Sequence, residues 1–114
     1  MPFAPSQAAR IYWRWRGSSA LPPLVLLHTI GTDMAIFERC APFLERRFRL
    51  LTIDLRGHGA SDAPEVDYSL ALLAGDVRAV MDAVGVNRAV VCGVSLGAMV
   101  AMQFALDMPD RVKG

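Results

Sequence analysis

The stretch RAVVCGVSLGAMVAMQFALDM, residues 88–108, decides how this chain is built. Its opening, RAVVCG (88–93), is a short apolar run of the kind a strand shows when both its faces are covered. Its close, SLGAMVAMQFALDM (95–108), reads as a helix stopped by Pro109. Between them Gly93-Val94-Ser95-Leu96-Gly97 leaves only a residue or two for turning strand into helix. Such a turn strains the serine backbone and lifts its hydroxyl clear of the sheet, and glycines on either side let neighbouring backbone pass closely. Two readings compete. Ser95 is a nucleophile, or it is a small residue capping a helix. A bare G-x-S-x-G arises readily by chance, so the weight rests on the strand before it and the helix after it. That context favours the nucleophile. The helix N-terminus then favours developing negative charge, and the Leu96 N–H is a natural oxyanion donor.

Working outward, IYWRWR (11–16) reads as an early strand near an edge, and LVLL (24–27) as a buried one. HTIGTD (28–33) follows as a polar loop, and MAIFERCAPFLERR (34–47) as a helix capped by Asp33 and disturbed near Pro42. FRLLTID (48–54) is the next strand, and 55–67 a long Gly/Pro/Asp loop. Ser69 is the predicted N-cap of a helix whose apolar stripe is Leu70, Leu73, Val77, Val80, Met81 and Val84, with Gly85 past its end. Strand and helix therefore alternate from residue 24 onward, which predicts βαβ units and a mostly parallel sheet with flanking helices. Ligands of such sheets bind outside the carboxyl ends of the strands, so the loops 28–33, 55–67 and 93–97 are where chemistry belongs.

The 114 residues suffice for one small domain, yet 54% are hydrophobic, 20% charged and the mean hydropathy is +0.33. That excess suits elements covered on both faces inside a larger α/β protein. A net charge of +1 points to neither nucleic acid nor an anionic membrane. Arg10, Arg14 and Arg16 interleave with Tyr12, Trp13 and Trp15, which strand alternation explains more simply than a nucleic-acid face. No apolar run approaches the roughly 20 residues a bilayer span needs, and the N-terminus lacks the pattern of a signal peptide. Cys40 and Cys92 have neither metal-ligand spacing nor a disulfide framework, so a cytoplasmic setting is expected, with no metal and no cofactor.

These motifs together resemble the α/β-hydrolase fold superfamily. The nucleophile elbow GVSLG (93–97) is joined by HTIG (28–31), where the family commonly carries a His-Gly pair, and by DLRGHGASDAP (54–64), similar to its D-x-R-G-x-G-x-S segment. MPDRV (108–112) matches the usual ending of the nucleophile helix. The resemblance covers residues 10–114 and looks closest to the 3-oxoadipate enol-lactonase branch. It implies Ser95 as nucleophile, Leu96 and Ile30 as backbone oxyanion donors, and Phe37 at an aromatic pocket position. Thr29 stands where the family has glycine. It further implies structural roles for Gly93, Gly97, His28, Arg56, Gly57, His58 and Gly59, with Arg56 and Asp62 holding the loop. The family's triad acid and histidine come later in the chain than anything here, so residues 1–114 correspond to the N-terminal part of a single domain. On this reading the chain alone is inactive or nearly so, and its sheet leaves an edge open to self-association. Three functions stay open: hydrolysis of a small carboxylic ester or lactone, perhydrolysis on the same fold, and a non-catalytic product or subunit completed by a partner chain.

Overall fold

A computed structural model describes residues 2–64 and 68–114; residues 65–67 of the expected long loop lie outside the described residues. Five strands form one sheet: β1 (Phe3–Ser6), β2 (Ala9–Arg16), β3 (Pro23–Leu27), β4 (Arg49–Ile53) and β5 (Val90–Gly93), in the spatial order β1-β2-β4-β3-β5. β4, β3 and β5 run parallel, while β1 and β2 pair antiparallel at one side. The strand and helix alternation expected from residue 24 onward, with its mostly parallel sheet, is thus present. β1 goes unpredicted: Pro5 weakens the strand signal but is tolerated because β1 is an edge strand.

The buried run of β3 explains the layering. Leu24 and Leu26 join Leu50, Phe37 and Ala41 on one face of the sheet. Val25 and Leu27 join Leu51, Ile53 and the apolar sides of α2 (Leu70–Ala83) and α3 (Leu96–Asp107) on the other. Successive residues of a strand face opposite ways, so a continuous apolar run serves both layers. In α2 the expected stripe is buried at Leu73, Val77, Val80 and Met81 and half-buried at Leu70 and Val84. The Ser69 side chain accepts from the Leu72 N–H at 3.0 Å, and Gly85 takes the left-handed φ of +76° that ends the helix.

Two expectations need correcting. Residues 34–47 do not form one helix. They make a 3-10 turn, Met34–Phe37, capped by Asp33 accepting from the Ala35 N–H at 2.8 Å, then a single turn α1 (Ala41–Leu44). Pro42 lacks the N–H that would tie the two together, and it sits in the first turn of α1, where that loss is harmless. β5 is not buried on both faces either: Val90, Val91 and Gly93 are half-buried and Cys92 is exposed. Its outer side is partly occupied by residues 111–114, with Lys113 N–H donating to the Ala89 carbonyl at 2.8 Å and Val91 N–H to the Gly114 carbonyl at 2.9 Å. Among the described residues no helix is long and apolar enough to cross a membrane.

Candidate active site

β3 and β5 are neighbours, yet the chain leaves them toward opposite layers: β3 leads to α1 on one face, β5 to α3 on the other. Where adjacent parallel strands send their connections to opposite faces, a crevice opens at their carboxyl ends. Ser95 and Ile30 lie on those two connections. The Val94 N–H donates to the Leu27 carbonyl at 3.1 Å, which holds the two loops side by side.

Ser95 has φ +55° and ψ −111°, a left-handed backbone that a residue with a Cβ adopts only under strain. The side chain is exposed and makes no capping bond to α3, and its hydroxyl has no partner among the described residues. A serine that caps a helix has extended backbone and an oxygen tied to an N–H two or three residues on. Ser95 has neither feature, so the helix-cap reading fails. α3 starts without that cap: the Ser95 carbonyl accepts from the Met99 N–H at 3.1 Å, while the Leu96 N–H has no acceptor among the described residues. The Ile30 N–H likewise has none, and Ile30 itself is 70% exposed. Two unsatisfied donors thus flank the crevice, one on each loop. The glycine at 97 is forced by packing, because a Cβ there would drive into the carbonyls of Leu27 and His28, and one at Gly93 would strike the Gly97 backbone.

His28 is fully buried and both ring nitrogens are spent. Nε2 accepts from the Leu55 N–H at 2.9 Å, and Nδ1–H donates to the Thr29 carbonyl at 2.7 Å. Burial is the main cause holding its pKa below the ordinary value, and the neighbouring His58 adds to it; the Thr29 carbonyl and the carboxylates of Asp54 and Asp33 pull the other way. A neutral ring with no free nitrogen joins the loop after β3 to the one after β4 and has nothing left for proton transfer. His58, half-buried, stacks at a tilt on His28 with ring centroids 5.0 Å apart, and its Nδ1 bonds the Arg56 carbonyl at 3.0 Å.

The 54–62 loop is held by more than the residues its motif suggests. Asp62 pairs with Arg10 at the surface, 3.2 Å away. Arg56 does not pair inside the loop. Its guanidinium is buried and grips Asp76 of α2 through Nε and Nη2, both at 2.9 Å, while Ser6 Oγ donates to the same carboxylate at 2.6 Å. Asp54 accepts the Met34 N–H at 2.8 Å and the Ala60 N–H at 2.9 Å, and Gly59 is needed because a Cβ would meet that carboxylate. Asp54 and Asp76 carry roles the sequence reading leaves unassigned. Asp76 has a signal: an acid three residues after Leu73 falls on the buried stripe of its helix.

Phe37, implied at an aromatic pocket position, is buried. Its ring packs with Leu24, Leu26, Ala41 and Leu50, and it borders a cavity of about 330 Å³ shared with Arg14, Arg16, Met34 and Thr52.

Comparisons with known proteins bear on the family and the fold. The family model for the alpha/beta hydrolase fold matches residues 22–114. A 3-oxoadipate enol-lactonase of Acinetobacter baylyi is 34% identical over 83% of this chain, and a pimeloyl-[acyl-carrier protein] methyl ester esterase of Aeromonas hydrophila is 41% identical over 80%. The crystal structure of an enol-lactonase from Burkholderia xenovorans superposes on 97% of the chain with a TM-score of 0.93 at 34% identity. The chain spans only 35% of each of those two curated relatives and 44% of the crystallised one. With 93 consecutive residues (22 to 114) matched and the elbow in place, the chain belongs to the α/β-hydrolase fold family.

Proposed function

We propose that this chain carries the nucleophile and the oxyanion-binding half of a serine hydrolase acting on a small carboxylic ester or lactone. It is the N-terminal part of one domain, and polypeptide outside these 114 residues supplies the base and its orienting acid. The observation that carries the reading is Ser95: a strained left-handed backbone, an uncapped exposed hydroxyl, and unsatisfied N–H groups at Leu96 and Ile30. Ser95 Oγ bonds to the acyl carbon, and the Leu96 and Ile30 amides take the charge that develops on the carbonyl oxygen. The C–O bond to the leaving oxygen then breaks, the histidine returns the serine proton to it, and water releases the acyl group. In a lactone the leaving oxygen stays tethered to the acyl chain. That relatives include an enol-lactonase and a methyl ester esterase supports acyl–oxygen cleavage as the reaction class. Of the two histidines, His28 is spent on structure and His58 is tied to the Arg56 carbonyl in a role the resemblance makes structural, which supports a base from elsewhere. No cofactor takes part in this chemistry. A cytoplasmic setting belongs to the proposal, supported by two free cysteines on the surface.

The test has two arms. A fluorophosphonate should label Ser95 of the 114-residue chain at least about 10³-fold more slowly than it labels a complete serine hydrolase. Fast stoichiometric labelling would contradict the missing base. Joined ahead of the remaining part of the Burkholderia enol-lactonase, the chain should hydrolyse esters or lactones, and Ser95→Ala should abolish this. A folded graft that turns over neither, or one indifferent to Ser95→Ala, overturns the assignment.

A further inference from the structure

The turn that carries Ile30 is Thr29-Ile30-Gly31-Thr32, between β3 and the 3-10 turn at Met34. Gly31 takes φ +76°, and the Thr32 N–H reaches back to the Thr29 carbonyl at 3.4 Å. A glycine of positive φ in third place belongs to a type II turn. A Cβ there would meet nothing within 4 Å, so the glycine serves the backbone alone.

The Thr29 carbonyl is the most firmly held group of this turn. His28 Nε2 is bound to a backbone N–H, which can only donate, so the neutral ring carries its proton on Nδ1 and gives it to the Thr29 oxygen at 2.7 Å. Thr32 Oγ1 donates to the same oxygen at 2.8 Å. Those two bonds occupy both of its lone pairs. Thr32 Oγ1 has then given its one proton away, so the 2.9 Å contact between the two hydroxyls runs from Thr29 to Thr32. The other acceptor near Thr29 Oγ1, the Ile30 carbonyl, is farther off at 3.5 Å. Thr29 hydroxyl, Thr32 hydroxyl and Thr29 carbonyl thus form a chain in which each acceptance strengthens the next donation. The hydroxyl at 29, where the family commonly has glycine, opens that chain. Thr32 is anchored from behind, because Asp33 accepts from the Ala35 N–H and Asp54 from the Met34 N–H, both at 2.8 Å.

The Thr29 carbonyl and the Ile30 N–H belong to one trans peptide, so they point opposite ways. With the oxygen turned in on the buried His28 ring, the N–H is turned out, and it has no acceptor among the described residues. A half-turn of this peptide would give up both short bonds and present a carbonyl where an oxyanion needs a donor.

We infer that Thr32, with Thr29 behind it, is a positioning residue for the oxyanion site: its hydroxyl presets the Thr29–Ile30 peptide with the N–H toward the crevice beside Ser95. This role rests on the reading of Ser95 and Ile30 proposed above. A donor preset in this way reorganises little as charge develops, so it acts on the transition state rather than on substrate binding.

Two measurements test it. In the ¹³C,¹⁵N-labelled 114-residue chain, Thr32→Val keeps the shape of the side chain and removes the donor. The Thr29 ¹³C′ signal should move upfield and the Ile30 amide should broaden as the peptide samples both orientations, whereas Thr32→Ser should keep the parent's signals. In the graft onto the remaining part of the Burkholderia enol-lactonase, Thr32→Val should lower kcat roughly tenfold with KM within about twofold. That is short of the loss of about 10²–10³ that follows removal of an oxyanion donor outright, and Thr32→Ser should restore most of it. Unchanged Thr29 and Ile30 signals in Thr32→Val overturn the clasp. A loss carried by KM, or one that Thr32→Ser does not restore, overturns the positioning role. A parent graft that turns over no ester or lactone removes the hydrolase reading and this role with it, while an active parent graft whose kcat ignores Thr32→Val removes this role alone.

Discussion

At the residue scale, His28 shows how a histidine expected to be structural is consumed by its surroundings. Sequence places it in the loop after β3, and only its surroundings show that both nitrogens are used, by the Leu55 N–H and the Thr29 carbonyl. Ser95 is the reverse case: the role proposed for it is suggested by five residues of motif, and the strained backbone and exposed, uncapped hydroxyl support that reading. His28 also gives a stability prediction with a definite sign. Its folded pKa lies below the ordinary 6.5, so the unfolded chain binds the proton more readily. The stabilising contribution is complete above pH 6.5, falls as pH drops through that value toward the lowered folded pKa, and levels off beneath it. Urea unfolding of the parent and of His28→Asn between pH 8 and pH 5 should show the parent's advantage largest at pH 8 and shrinking steadily as the solution is acidified. An advantage constant across that range would rule the account out.

At the element scale, the parts read well where chemistry is local and poorly where it is not. α2 is legible down to its caps because Ser69, the 3.6-residue stripe and Gly85 are neighbours in sequence. The break within 34–47 is legible only as a disturbance at Pro42, and β1 is hidden because a short proline-containing strand is defined by its partner. The attachment of α2 to the loop after β4 is illegible, since Arg56 and Asp76 are twenty residues apart and meet only in the fold. That pair should dominate the docking of α2. With the two side chains 2% and 0% exposed, removing Asp76 strands a buried guanidinium. Asp76→Ala should therefore cost about 3–5 kcal/mol in denaturant unfolding, whereas removing the surface pair by Asp62→Ala should cost about 1 kcal/mol or less. Similar losses for both would mean that burial is not what gives the inner pair its weight.

At the scale of the whole molecule, size and surface area are ordinary while the character of the surface is not. The radius of gyration of 12.7 Å and accessible surface of 6104 Å² sit near the roughly 13 Å and roughly 6,100 Å² expected of a folded monomer of this mass. The chain is therefore as closed as its length allows, and the excess of apolar residues must appear as apolar surface. It does so on α3, where Met99, Met102 and Leu106 are 46%, 60% and 78% exposed on a helix that is apolar nearly all round. A helix of that kind is ordinarily covered on every side. Beside it the outer edge of β5 is paired by residues 111–114 only as far as Val91, leaving Cys92 and Gly93 beyond the ladder. We expect the 114-residue chain to self-associate across this region in solution. Light scattering after size-exclusion chromatography should give a mass that rises with concentration over the micromolar range. Met102→Lys/Leu106→Lys should return it to the 12.4 kDa monomer, because two like charges brought together at an apolar contact oppose it. Both positions are exposed, so these changes should leave the unfolding midpoint of the monomer nearly unchanged. If the double variant associates as strongly as the parent, the contact lies elsewhere, with the open edge of β1 the next surface to alter.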